Sequence, residues 1–232
     1  MSFKVIGIGE VLWDLLPSGP QLGGAPANFA YHAQALGARA GVVTRVGSDQ
    51  LGGDIQKRLE ALQLPLDLVQ VDESAPTGTV SVELGSDGNP CFTIHERVSW
   101  DRLIPTEAAL RAVGAADAIC FGSLAQRDEP SRSTIQQLLS QSAQTSLRVF
   151  DVNLRQSFYS RKVIEQSLEL ANTLKLNDAE LPVLANLFGW DGDMEAQVSM
   201  IADRFGLTVV AITCGAQGSF LYQRGRWSEC RV

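Results

Sequence analysis

The sequence predicts an α/β fold, a doubly wound and mostly parallel sheet flanked by helices, with a small second β layer. Three observations predict it. Short, nearly uninterrupted apolar runs of strand length recur along the 232 residues. Helical patterns separate most of them. One stretch, Leu66–Ile94, instead holds strand-like pieces with no helix between them. Strands that are apolar throughout belong to a parallel sheet buried on both faces.

Taken in order, "FKVIGIG" (Phe3–Gly9) is a continuous apolar strand ending in glycines, and "GEVLWDLLP" (Gly9–Pro17) supplies a further strand to the β layer. Ala25–Leu36 is rich in helix-forming alanine, and Ala40–Gly47 returns to β-branched residues. Ser48–Leu62 carries Leu51, Ile55, Leu59 and Leu62 at spacings of three and four, an amphipathic helix. Leu66–Ile94 reads as three strand pieces of an antiparallel insertion, with turn signals at Ala75–Gly78 and Ser86–Pro90. The alternation then resumes: strand Asp117–Gly122, helix Ser131–Leu139, strand Leu147–Val152, helix Lys162–Leu170, strand Thr173–Asn177, helix Ala196–Phe205, strand Leu207–Gly215. The expectation is a single domain over 1–232, the strands of its small β layer drawn from about 10–17 and 66–97.

Bulk properties narrow the function. With 45% hydrophobic residues the chain can bury one large core. Nineteen basic against 26 acidic side chains give a net charge of −7, the opposite of a nucleic-acid footprint. No apolar run approaches the ~18 residues of a membrane span, and "MSFKVIGIGE" is too short in its apolar part for a signal peptide. Cys91, Cys120, Cys214 and Cys230 stand far apart, and read as buried thiols of a reducing, cytoplasmic compartment.

In an open α/β sheet, ligands gather beyond the carboxyl ends of the strands. Five of the predicted strands are followed there by polar groups: Glu10 and Asp14; Ser48 and Asp49; Asp151, Asn153 and Arg155; Asn177, Asp178 and Glu180; and the glycine-bounded turn after Thr213. Their convergence on one rim is the physical case for a site. Each has a structural alternative. Asp14 is also an ordinary solvated turn residue, Asp151 and Arg155 also an ion pair, and Asp178 is best read as a helix cap. Of the two histidines, His32 reads as structural, while His95, at the end of the β insertion, is placed to face a ligand. Gly7-x-Gly9 is followed by Leu12 where a dinucleotide fingerprint needs a third glycine, which disfavours a nicotinamide enzyme. No P-loop and no HExxH occur.

With those residues set out, the chain resembles the ribokinase-like, or PfkB, family of sugar kinases, and within it the bacterial fructokinases. The resemblance rests on "GGAPANFAYHAQALGARAGVVTRVGSDQLGGDIQKRLE", then "FTIHERVSWD", "FDVNLR", "LKLNDAEL" and "ITCGAQGSFLY", in the family's order. It implies an ATP-dependent phosphorylation of a ketohexose such as fructose, with Mg2+ as cofactor and a monovalent cation as a further candidate in a longer form. Asp14, Gly23, Gly24 and Asn28 match residues that bind sugar hydroxyls, and carboxylate and amide groups suit vicinal diols. The β insertion matches a lid, with His95 and Arg97 where lid side chains approach substrate. Arg155 matches a position near the transferred phosphate. Asn177 and Glu180 match an NxxE motif that organises water-coordinated magnesium and the nucleotide phosphates. Thr213, Gly215 and Gly218 match a TxGxxG turn against the nucleotide. The resemblance also implies a homodimer paired through the lid. The family's second signature, DTxGAGD, with its general-base aspartate and glycine-rich anion hole, does not occur in these 232 residues. The expectation is therefore a C-terminally truncated fold with weak or no turnover. The alternatives are a sugar-binding module without chemistry, and a kinase for 2-keto-3-deoxygluconate or another sugar.

Overall fold

The computed structural model describes residues 2–84 and 90–231. The chain opens with β1 (Lys4–Ile8), then β2 (Leu12–Leu16) and β3 (Gly19–Gly23), α1 (Ala25–Ala35), β4 (Arg39–Gly47) and α2 (Gln50–Ala61). β5 (Val69–Asp72), β6 (Thr79–Leu84), β7 (Pro90–Ile94) and α3 (Glu107–Gly114) follow. The second half alternates β8 (Ala118–Gly122), α4 (Glu129–Ser140), β9 (Leu147–Asp151), α5 (Arg161–Leu170) and β10 (Thr173–Asn177). It ends with α6 (Glu180–Phe188), α7 (Met194–Phe205), β11 (Val209–Thr213), β12 (Ser219–Gln223) and β13 (Arg226–Cys230). Among the described residues the main sheet has nine strands, in the order β13-β12-β11-β10-β9-β8-β1-β4-β5, parallel from β5 to β11. A second sheet, β3-β2-β6-β7, stands off it.

The two faces of the main sheet are covered differently. On one, α3 to α7 pack against Ile6, Ile8, Phe121, Phe150, Leu174, Leu176, Val210 and Ile212 in a single large cluster. On the other, α1 and α2 pack against Val5, Ala40, Val42 and Val46. That second cover stops at β8: further along the same face Val149, Asp151, Thr173, Lys175 and Ala211 are only partly buried and line a cavity. The caps are those the side chains favour. Asp49 closes α2 by accepting from Gly52 N at 2.8 Å, and Pro26 sits in the first turn of α1, where a missing N–H leaves no bond unmade.

Several expectations are corrected. The first piece of the β insertion, now β5, does not belong to the lid but pairs in parallel with β4 at the edge of the main sheet. The lid is therefore Leu12–Leu16, Gly19–Gly23, Thr79–Leu84 and Pro90–Ile94, not the whole of 66–97, and β2 runs parallel to β6 within it. Glycine and proline at positions 19 and 20 hide β3 from a propensity reading, and an edge strand is where a strand proline is tolerated. Two further elements escape periodicity: α3, only eight residues long, and the β12–β13 hairpin. The hairpin turns through Arg224 and Gly225 with φ of 49° and 80°. Of the cysteines, Cys120 is buried as expected, but Cys214 is half-buried and Cys230 exposed. The Ser86–Pro90 turn, apart from Pro90, and the side chain of Cys91 lie outside the described residues.

Candidate active site

The lid and the carboxyl ends of the central strands enclose a cavity of about 960 Å3. β2 and β3 form a hairpin in which Asp14 stands opposite Gln21, and β6 places Val80 beside Asp14, so these side chains share the lid's inner face. Asp14, Gln21, Gly23, Gly24, Asn28, Asp151, Asn153 and Arg155 all line the cavity, as does Glu10. The loop at its mouth is tightly folded. Gly24 adopts φ 112°, ψ 118°, open in practice only to glycine, and a Cβ there would run into the carbonyl oxygen of Glu10. α1 then starts at once, Asn28 N donating to Gly24 O at 3.0 Å, and the Asn28 side chain sits on the cavity wall.

Burial pushes the Asp14 carboxyl above its usual range, and the Arg155 guanidinium opposes that shift. Lys175 holds Asp151 at 3.0 Å, so the half-buried carboxylate is neutralised by its neighbour on β10. Among the described residues Arg155, at the rim, has no acidic partner, and its Nη1 donates to its neighbour's carbonyl, Leu154 O, at 3.2 Å.

The remaining sequence candidates are elsewhere. His95 follows Ile94, which faces inward, and its Nε2 lies 2.6 Å from Ser81 Oγ on the lid's outer face, turned away from Asp14. Arg97 is exposed, with φ 59°, and does not line the cavity. His32, expected to be structural, instead lines the cavity, exposed, one helical turn beyond Asn28. Asn177, Glu180, Thr213, Gly215 and Gly218 do not reach the cavity. Asp178 is exposed and caps nothing; Asn177 does so instead, its Oδ1 accepting from Glu180 N at 2.8 Å while Glu180 Oε2 accepts from Asn177 N at 2.9 Å. Glu180 Oε1 accepts from Leu154 N at 2.8 Å, which ties the NxxE turn to the DxNxR segment. With both oxygens of a buried carboxylate engaged by backbone, and no cluster of three His, Cys, Asp or Glu among the described residues, this structure offers no direct magnesium ligand set. Gln21 was missed by sequence reading. Its signal is the two-residue spacing, Pro17–Ser18, between β2 and β3, which sets it opposite Asp14.

Residues 20–230 match the model of the pfkB family carbohydrate kinases. The chain belongs to that family. Among its relatives, a fructokinase from Klebsiella pneumoniae is 31% identical over 99% of this chain and 76% of its own length. One from Escherichia coli is 30% identical over 97% and 76%. The solved structure of an uncharacterized sugar kinase, PH1459, from Pyrococcus horikoshii in complex with ATP superposes with a TM-score of 0.82 at 26% identity, covering 98% of this chain and 76% of that one. The mostly parallel sheet, its flanking helices and the small lid sheet are thus a pfkB-family architecture, and the cavity lies where its lid meets the strand ends. Among the described residues no helix is long and apolar enough to cross a membrane.

Proposed function

We propose that the cavity binds a ketohexose-type sugar, fructose in the first instance, and that the reaction it serves is ATP-dependent phosphorylation of the 6-hydroxyl. The observation that carries this reading is the convergence of Asp14, Gln21, Asn28 and the Gly23–Gly24 backbone on one cavity beneath the lid. A carboxylate and two side-chain amides supply paired acceptors and donors for vicinal hydroxyls. Relatives named fructokinase at about this level of identity point the same way. In the transfer, the sugar oxygen forms a bond to the terminal phosphorus of ATP as the bond to ADP breaks, and Arg155 at the rim stabilises charge on the phosphoryl oxygens. Magnesium would supply further charge neutralisation on the nucleotide phosphates. Within this chain Asn177 and Glu180 act on that side by fixing the backbone of the turn.

The hydroxyl proton requires a base, and the motif that the resemblance assigns to that role is missing from these 232 residues. The 232-residue chain by itself therefore turns over poorly, and sugar binding without chemistry is the second reading. A cytoplasmic location, where ATP is at hand, belongs to the same proposal. So does a homodimer through the lid, whose inner face carries Phe92, 51% exposed. Calorimetry with fructose tests the site. Binding should be lost by at least about ten-fold in Asp14→Asn, which keeps the shape and removes the charge. Equal binding by the variant refutes the assignment of Asp14. A coupled ADP-release assay tests the chemistry, and turnover of about 1–100 per second, ordinary for a kinase, would overturn the expectation of a weak enzyme.

A further inference from the structure

Glu10 stands two residues past the end of β1, is 1% exposed and lines the cavity. Its Oε1 accepts from Ala25 N at 3.3 Å, at the mouth of α1, while its Oε2 has no hydrogen-bond partner. The contact is built into the backbone, because Gly24 is packed against the Glu10 carbonyl so closely that a side chain there would collide with it. Leaving a buried carboxyl oxygen unmatched is costly, and such groups are seldom kept in a core that could be apolar. The titratable and charged groups that line the same cavity as Glu10 are Asp151 on β9, in turn paired with Lys175 on β10, Arg155 beyond β9, the Cys120 thiol on β8, Asp14 on the lid and His32 on α1. Burial, helped by Asp151 and opposed by the Glu10 and Ala25 amides and by Arg155, pushes the Glu10 carboxyl up to about 7.

We propose that Glu10 is a positioning residue for the polyol-binding loop, holding the Ala25 amide and with it the turn that presents Asn28, and that one proton on Oε2 sets how firmly the loop is held. The inference rests on the reading that this cavity takes a sugar. In the ionised state Glu10 makes a charge-assisted bond to Ala25 N and places a negative charge at the N-terminus of α1, where it is favoured. In the neutral state the bond is weaker and the first turn of α1 loosens. Sugar affinity therefore rises with pH across neutrality, by about five-fold, the difference between a charge-assisted and a neutral hydrogen bond. Asp14 touches the sugar directly; Glu10 acts through the loop.

The test pairs two readouts on the 232-residue protein between pH 6 and 8. Calorimetric fructose affinity should rise about five-fold with pH in the wild type, and should be low and flat in Glu10→Gln, which keeps the shape and cannot ionise. The Ala25 amide resonance should titrate near neutrality in the wild type and stay fixed in Glu10→Gln. A pH slope that survives in Glu10→Gln, or that vanishes in His32→Ala, overturns the proposal by assigning the proton to Asp14 or His32. The outcomes separate from the sugar reading. An Ala25 amide that titrates in a protein that takes up no fructose refutes the sugar and upholds the loop switch. An Ala25 amide that does not titrate refutes the switch, whatever the sugar does.

Discussion

The anchor of the lid offers the sharpest stability test. Arg127 and Asp101 form a bidentate ion pair, Nε to Oδ1 and Nη2 to Oδ2, both at 2.8 Å. The side chains are 5% and 2% exposed. The guanidinium is sandwiched between aromatic rings, 4.1 Å from the centre of Trp100 and 4.6 Å from that of Phe158. Its Nη2 also donates to His95 O at 2.7 Å, the point where the chain leaves the lid after β7. Changing Asp101 to Asn preserves shape but leaves a buried cation without its counter-charge, and removing one partner of such a pair costs about 3–5 kcal/mol. For a chain of this size each kcal/mol lowers the melting temperature by about 2–4 °C, so thermal unfolding followed by circular dichroism should show a fall of about 10 °C. The double variant Asp101→Leu with Arg127→Met removes both charges and keeps an apolar filler between the rings. It should melt above Asp101→Asn, because no buried charge is left uncompensated. A single variant melting within about 2 °C of wild type, or a double variant less stable than the single, would refute the view that the pair acts as a matched buried unit.

Three other outcomes follow from the site. Gly24→Ala forces a side chain into the Glu10 carbonyl at a φ of 112° and should lower stability by about 1–3 kcal/mol in denaturant titration, with fructose affinity falling in parallel; unchanged affinity would detach the loop from sugar binding. Glu180→Gln keeps one acceptor but halves the charge-assisted anchoring of Leu154 N and Asn177 N, and should lower stability by about 1–2 kcal/mol; no loss would mean the turn is held by other contacts. Glu10, displaced upward from its ordinary value to about 7, adds stability that is fully present below about pH 4.5 and is lost as pH rises through 7. Wild-type protein should therefore lose about 2.5 kcal/mol more than Glu10→Gln between pH 5 and 8, because the desolvation cost of the ionised carboxylate to the whole fold outweighs its stronger local bond to Ala25 N, and equal slopes would contradict the buried charge.

What was legible in the sequence follows the physics of each element. The strands β1, β4 and β8, covered on both faces, announce themselves by side chains that are apolar without alternation, whereas β9, β10 and β11, covered on one face, show through Phe150, Leu174, Leu176, Val210 and Ile212. Periodicity says that Val69–Asp72 is extended but not which sheet it joins; that is decided by pairing with β4, a contact between residues far apart in sequence. The inner face of the lid is legible in outline, since Asp14 lies on a strand of half-buried residues. Its partner Gln21 is hidden by the glycine and proline that begin β3. His95 and Arg97 sit in the expected segment but a two-residue period decides the face, and the register with β6 turns His95 outward. The anchoring role of Arg127 has no sequence signal at all, because its partners Asp101, Trp100 and Phe158 meet it only in the fold.

The motif glycines show how fold and site become the same thing here. Sequence reasoning assigns Gly23, Gly24, Gly215 and Gly218 to close approach by a ligand, yet a side chain at three of them would meet the chain itself. A Cβ on Gly23 would stand 2.5 Å from Asp14 Oδ2, one on Gly24 would strike the Glu10 carbonyl, and one on Gly218 would strike the carbonyl of Cys230 on β13. At Gly218 this is a matter of hairpin closure, so its substitution should harm folding without bearing on the cavity. At Gly23 and Gly24 the packing constraint builds the site: absent side chains let β3 close on the Asp14 carboxylate and let the loop seat on Glu10. That brings a carboxylate from β2, the Glu10 carboxyl from the loop after β1 and an amide from α1 to one cavity. Gly215 differs, with φ 54° and nothing within 4 Å of where its side chain would be. Of the four, it is the position where room is left for something other than this chain.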